Sequence, residues 1–447
     1  MIAVATHPGH QQRLHQQTLP QQTRHPPTSH PLALLVVGSG CPICRQYALG
    51  SMASRYRLIL LDDAEPTWQA PYVADHIVVP FTDTAAVLDA VRRLAGRVDG
   101  VVTYIEQYLE ITAEIATALG LPGNSVATVR ACRDKLLTRL TLAAAGVPSA
   151  RSIPITSLAA AHEAAADIGY PVVVKPRNLA GSLGVTQVHG PGELAEAYTL
   201  AGGSRLDGVD SNGPVELLVE EYLDGPHISV ESVTLAGRTS AAAVTEHIFD
   251  FPPYFELTGC VVDTANPLTD PRSPTAEVAR AALEALGFEY GVSHVEMRLT
   301  ADGPRIVEVN ARLAGARIPY LWQLASGVDL ALAAANVAVG APADLTRRRE
   351  GAAAVRNLYP RKAGRVANLS ADPVLATRAW LDDLAWEKSP GDEVKLPPNA
   401  IDDVLGTVVV TGPDAATCMR LLDEAEASIT ADIDPLVPVV ATTEWAR

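Results

Sequence analysis

At 447 residues the chain has room for roughly two to four domains, and 48% hydrophobic against 19% charged residues is a globular composition. No apolar run reaches the roughly 18–20 residues of a membrane span, and the first thirty residues lack the apolar segment of a secretory signal. A formal charge of −16 argues against a general nucleic-acid binder, and five scattered cysteines fit reduced thiols in a cytoplasm better than a disulfide framework.

Residues 1–31 are rich in Gln, His, Pro and Thr without apolar periodicity, which predicts a disordered tail. Its five histidines allow a metal-binding reading beside that of a plain extension. From Leu32, L-A-L-L-V-V-G-S-G reads as a buried strand entering a glycine turn, and R-L-I-L-L-D-D as a second strand after a helix. H-I-V-V-P and G-V-V-T-Y follow, with helix between them over Thr84–Leu94. Alternating strands and helices predict a parallel α/β layer. Gly38-Ser39-Gly40 suggests a dinucleotide turn, but Ile43 occupies the third glycine position. Cys41 and Cys44 flank Pro42 at the start of the next helix. They read as a redox pair or, more plainly, as packing around an N1 proline.

One helix is expected from Arg130 to Gly146, with Pro148 beyond it. The strand-rich segments P-V-V-V-K, G-V-T-Q-V, V-E-L-L-V-E-E-Y, I-S-V-E-S-V-T-L and A-A-A-V-T-E follow, interrupted by helices at Leu158–Ile168 and Ala276–Leu286. The expected divisions are 32–128, an N-terminal α/β domain; 129–214 and 215–348, two α+β lobes; and 349–447, a closing subdomain with a helix at Ala415–Ser428.

Ser293–Arg312 reads as a hairpin turning at Ala301-Asp302-Gly303-Pro304. If it folds symmetrically about Asp302, Glu296 faces Glu308, and Arg298, Asn310 and Arg312 share that face. Val295, Met297, Leu299, Val307 and Val309 are assigned to the core. Opposed carboxylates are destabilising unless a cation offsets them. Mg²⁺ is one answer and a salt-bridge lattice with the two arginines is the other. Upstream, Lys175 ends an apolar strand before a loop in which Gly181 and Gly184 free the backbone and Ser182 adds a hydroxyl, a combination suited to phosphate. Lys135 near a helix start is the weaker phosphate candidate, and the strand end Glu220-Glu221-Tyr222-Leu223 is common in itself.

Taken in order, Asp134-Lys135, Val174-Lys175-Pro176 with Gly181-Ser182-x-Gly184, Glu220-Glu221-Tyr222-Leu223, Glu296 and Glu308-x-Asn310-x-Arg312 resemble the ATP-grasp superfamily. The resemblance covers the chain from about Leu32 onward. It implies an ATP-grasp fold, α/β and α+β, with a Rossmann-like N-terminal domain and a C-terminal closing subdomain. It further implies ATP phosphates on Lys135, Lys175 and the Gly181–Gly184 loop, and adenine against Glu220, Glu221 and Leu223. Ribose would meet His227, which stands in place of the usual glutamate. Mg²⁺ (or Mn²⁺) would sit on Glu296, Glu308 and Asn310, with Arg312 and Lys175 acting on the phosphoryl group. P-P-Y-F-E-L-T-G at 252–259, V-V-T-Y-I-E ending at Glu106, and N-A-R-L-A-G are similar to the L-amino-acid (dipeptide) ligases of the bacilysin-synthetase type. That branch implies substrate contacts at Glu106, Glu256, Cys260, Arg312 and Arg317. Cys260 replaces a common histidine, and Ala316 stands where some relatives carry an aromatic, implying a roomier pocket for the first substrate.

The expected activity is ATP-dependent, ADP-forming amide-bond formation between amino-acid-like substrates through an acyl phosphate. A biotin-carboxylase-like carboxylase and a non-catalytic nucleotide binder are the alternatives. The expected partners are small molecules, with no nucleic acid and no membrane, and a homodimer is left open.

Overall fold

In the computed structural model of the chain, residues 31–205, 215–398 and 403–436 are described. The tail expected over 1–31, with its histidines, lies outside them except for Pro31. The apolar run A-L-L-V-V forms β1 (Ala33–Val37), buried throughout. Its alternate residues feed two cores, Leu34 and Val36 one, and Ala33, Leu35 and Val37 the other. Such a strand needs cover on both faces, which explains why it shows no polar alternation. With α1 (Pro42–Ala53), β2 (Arg57–Asp62), β3 (Asp75–Val78), α2 (Thr84–Arg92), β4 (Gly100–Val102) and α3 (Leu109–Leu119), it builds a parallel sheet of order β3-β2-β1-β4, as the alternation predicts.

The single helix expected over Arg130–Gly146 is instead two, α4 (Val126–Arg133) and α5 (Lys135–Ala144). Asp134 breaks it. Its backbone leaves the helical region (φ −86°, ψ 104°), and its carboxylate accepts from the backbone N–H groups of Leu136 (3.0 Å) and Leu137 (3.1 Å). Lys135 thereby becomes the first residue of a capped helix.

A small antiparallel sheet of order β5-β8-β6-β7 follows, with α6 (Leu158–Ile168) and α7 (Leu194–Gly203) against one face. Its strands are β5 (Ser152–Ile155), β6 (Val172–Pro176), β7 (Thr186–Val188) and β8 (Leu217–Glu221). Val172 and Val174 pack among the helix alanines, so Val173 and Lys175 turn to the opposite face.

The second lobe begins with β9 (His227–Leu235), β10 (Arg238–Asp250), β11 (Glu256–Asp263), α8 (Pro274–Ala285), β12 (Tyr290–Thr300) and β13 (Gly303–Asn310). Then come α9 (Ile318–Ser326), α10 (Leu330–Ala338), β14 (Ala352–Leu358), β15 (Gly364–Ala371), β16 (Leu381–Trp386), β17 (Glu393–Val394), β18 (Gly406–Gly412), α11 (Ala415–Ala427) and β19 (Ile429–Asp434). Eight of these strands form one antiparallel sheet, β13-β12-β9-β10-β11-β14-β18-β16. The region after 349 therefore extends the sheet of the preceding lobe and adds the three-stranded sheet β17-β15-β19. No single described helix is long and apolar enough to cross a membrane. The apolar pair α9 and α10, bent by 109°, is buried, with Trp322 fully enclosed.

Candidate active site

The β12–β13 hairpin places the acidic face. Near the turn its pairs are Thr300–Gly303, Leu299–Pro304 and Met297–Ile306, a register centred between Ala301 and Asp302. A bulge at Val307 then shifts the register by one, so that Glu296 stands opposite Glu308 and His294 opposite Asn310. The carboxylate pair is thus as expected, but the bulge makes it, not symmetry about Asp302. Val307 is corrected accordingly: it is only partly buried and lines the cleft with Glu308, while Ile306 takes the core position.

That cleft lies between the face of the small sheet that carries Lys175 and the hairpin, and holds about 760 Å³ of non-atom space, partly open to solvent. It brings together Lys135, Lys175, Gly181, Ser182, Glu220, Glu221, Leu223, His227, Glu296 and Glu308. Tyr222, Phe249 and Phe255 add aromatic surface, with Phe249 and Phe255 edge to face at 6.4 Å. The loop under the lysines is left-handed at Gly181 (φ +67°), Ser182 (+58°) and Gly184 (+73°). At Gly184 a Cβ would fall 2.4 Å from Ser204 Oγ, so only glycine fits. Gly184 shapes this loop from behind and is not among the lining residues.

Lys135 is buried, not solvated as its position at a helix start suggests. Its Nζ donates to the Leu179 carbonyl (2.6 Å) and pairs with Glu308 (2.9 Å). Arg177 forks onto the Asp134 cap, with Nε to Oδ1 at 2.7 Å and Nη2 to Oδ2 at 2.5 Å, tying α5 to the end of β6. Lys175 Nζ lies 2.5 Å from Glu220 Oε2, which also accepts from Arg139 Nη2 at 3.0 Å. Burial would raise the Glu220 carboxyl, but Arg139 and Lys175 override it and hold it at about 2. Desolvation pulls the Lys175 ammonium below the ordinary lysine range. Glu221 is engaged by Arg305 through both oxygens at 2.6 and 2.7 Å. Arg305 thus takes both Glu221 oxygens, whereas on Glu220 only Oε2 is engaged and Oε1 has no partner among the described residues.

Glu296 is held on both sides. His227 Nε2 lies 3.0 Å from Oε2, and His294 Nε2 lies 3.0 Å from Oε1. Burial would raise this carboxyl too, but hydrogen bonds from the two histidines keep it well below the carboxylate range. Glu296 and Glu308 line the cleft with carboxylate oxygens, which suit Mg²⁺, whereas Asn310 is buried outside the lining with its Oδ1 on Arg312. Among the described residues no three His, Cys, Asp or Glu side chains converge on a metal position. A cation here would therefore need further oxygens, such as those of a nucleotide's phosphates.

Arg312 does not line this cleft. It lines a smaller apolar cavity against the N-terminal domain and donates through Nε to Glu106 Oε2 (2.5 Å) and through Nη2 to Asn310 Oδ1 (3.3 Å). Arg133, unremarked in the sequence, reaches the other Glu106 oxygen at 3.4 Å. Glu256, Cys260 and Arg317 also lie outside the cleft lining. Glu256 is buried and accepts from the Tyr359 hydroxyl (3.2 Å), with its carboxyl raised by desolvation. Cys260 is fully buried in the core. Arg317 is buried with Nη1 on Asp383 at 2.6 Å, and its backbone is left-handed like that of Ala316.

The Gly38–Gly40 turn packs against Tyr108 and Ile105, while Ser39 donates to Asp62 at 2.6 Å. Cys41 caps α1 and is exposed, not packed, and Cys44 is half-buried behind it. A hydrogen bond from Cys44, aided by Arg45, lowers the Cys41 thiol to about 6. Arg139, Arg133 and the aromatic pair were missed because each joins the site from a different element, without a local motif.

An ATP-grasp N-terminal domain matches residues 56–123 and an ATP-grasp domain matches residues 168–320. The protein y4rH of Sinorhizobium fredii is 31% identical over 379 residues, 83% of this chain and 77% of its own. Human carnosine synthase 1 is 30% identical over 280 residues, 58% of this chain, and the match spans only 33% of the human protein. The crystal structure of an L-amino acid ligase from Bacillus licheniformis superposes with a TM-score of 0.75 at 21% identity, covering 91% of this chain and 100% of that one, a likeness of fold. With the two domain matches, the relative aligned over most of both chains and the shared architecture, the chain belongs to the ATP-grasp family.

Proposed function

We propose that the chain is an ADP-forming ligase that joins the carboxylate of one amino-acid-like substrate to the amine of another. The observation that carries this reading is the convergence of two buried lysines and two opposed carboxylates on one aromatic-lined cleft. Glu106 and Arg312, paired with each other, lie outside its lining. A carnosine synthase among the relatives and an L-amino acid ligase among the folds support the substrate class.

In this reading adenine lies against Phe249, Phe255, Leu223 and the backbone of Glu220 and Glu221, and ribose at His227. Lys135, Lys175 and the Gly181–Gly184 loop hold the phosphates. A carboxylate oxygen of the first substrate attacks the γ-phosphorus, the bond to the β-phosphate oxygen breaks, and ADP leaves with that electron pair. The amine of the second substrate then attacks the acyl carbon, phosphate departs, and the nitrogen loses a proton. Mg²⁺ (or Mn²⁺) held by Glu296, Glu308 and Asn310 would neutralise the phosphate charge. Arg312, outside the cleft lining, is assigned to the transferring phosphoryl group and the acyl phosphate, and Glu106, Glu256 and Arg317 to the substrate pocket, which the fully buried Cys260 can shape only from behind. The protein supplies position and charge, and no enzyme nucleophile is required.

Incubation with ATP, Mg²⁺ and pooled amino acids, followed by mass spectrometry and nucleotide analysis, tests this. A condensed product with equimolar ADP and phosphate is expected. AMP and pyrophosphate, or turnover that needs bicarbonate, would overturn it.

A further inference from the structure

We infer that Glu231 and His294 form a positioning chain that fixes Glu296 at the cation site, an inference that rests on reading Glu296 as a cation ligand. β9 and β12 pair Glu231 directly with His294 and Ser229 with Glu296, which puts all four side chains on one face of the sheet. Glu231 is 0% exposed and His294 4% exposed. One Glu231 oxygen accepts from Ser229 Oγ at 2.7 Å and lies 2.7 Å from His294 Nδ1, while its other oxygen has no partner among the described residues. The far nitrogen of His294 meets Glu296 at 3.0 Å. With a carboxylate on each ring nitrogen, the imidazole cannot turn without losing a bond.

Burying a carboxylate with a free oxygen is costly, and an apolar residue of like volume would serve the sheet at least as well. Glu231 lines no part of the cleft, so it reaches the chemistry only through His294. His227 braces the second Glu296 oxygen from the ribose side of the cleft, so the carboxylate is fixed at both ends. Each oxygen keeps a second lone pair for a cation. Partners of this kind orient a ligand without touching the metal.

The test is Mn²⁺ affinity for the full-length protein saturated with ADP, read by electron paramagnetic resonance. Glu231→Leu should weaken Mn²⁺ binding about 10–100-fold and alter the hyperfine pattern. ADP affinity without metal should hold within about twofold, which a general loss of structure would not allow. Glu231→Gln, whose amide oxygen still accepts from His294, should recover most of the affinity. If Glu231→Leu does not fold, His294→Gln carries the test with the same expected loss. Glu296→Gln separates the two claims. Loss of Mn²⁺ there with none in the Glu231 and His294 variants overturns the chain but leaves the cation site standing. Unchanged Mn²⁺ in Glu296→Gln removes the cation reading, and the chain with it.

Discussion

Glu296 and Glu308 face each other across adjacent strands, and each is met by a different part of the fold: Glu308 by Lys135 from α5, Glu296 by His227 and His294 from within the sheet. Like charges so placed repel. Removing the Glu308 charge relieves that repulsion but also takes the carboxylate from the buried Lys135. Glu308→Gln should therefore change the melting temperature little, and lower Mg²⁺-dependent ADP formation by about a hundredfold or more, on the scale of losing one stabilising group in a preorganised site. Calorimetry and a coupled ADP assay read the two effects separately.

The Lys175–Glu220–Arg139 cluster makes a stability prediction. Glu220→Leu would leave two buried cations without their carboxylate, at an expected cost of about 3–5 kcal/mol in denaturant unfolding. The pH dependence follows in sign. The Glu220 carboxyl is held at about 2 against an ordinary 4.5, so its stabilisation is complete above the ordinary value and is lost as pH falls through the depressed one. Acid titration of stability between those values should be flatter in Glu220→Leu than in the parent chain.

Asp134 ends one helix, caps the next and anchors Arg177. Asp134→Ala should cost about 1 kcal/mol for the cap. It should also raise the KM for ATP, because Lys135 then begins a frayed turn. Asp134→Asn keeps the cap acceptor and should restore most of the stability but not the ion pair with Arg177.

How far such features could be read beforehand depended on distance along the chain. The β1 run, the hairpin and Lys175 at its strand end are local patterns, and the fold keeps them. The break at Asp134 was missed because Leu136, Leu137 and Leu142 continue an apolar periodicity that hides the cap. The Val307 bulge leaves no mark in an alternating strand, yet it turns Val307 outward and places Glu308. Glu231 and His294 are 63 residues apart and meet only because β9 pairs with β12. Arg139 is outside the cleft lining and reaches Glu220 through the interior, a pairing 81 residues apart that its own helix does not announce.

Cysteine chemistry offers an independent check. Cys41 is exposed with its thiol lowered to about 6, whereas burial raises Cys132 and Cys418 to about 12 and Cys260 higher still. Iodoacetamide on the folded protein should label Cys41 first, with a rate rising through pH 6 and flat above about pH 7. Peptide mapping after a short pulse would show it, and equal labelling of the buried cysteines would contradict the fold around them.

The transfer of oxygen bears most directly on the ligase reading. With pooled amino acids carrying ¹⁸O in their carboxylates, ATP and Mg²⁺, an acyl phosphate requires one ¹⁸O in each phosphate released alongside ADP. Phosphorus NMR resolves the isotope shift. The expected result is singly labelled phosphate formed in step with condensed product. Label appearing in AMP, or phosphate released without label while product accumulates, would contradict phosphoryl transfer to the carboxylate in this cleft.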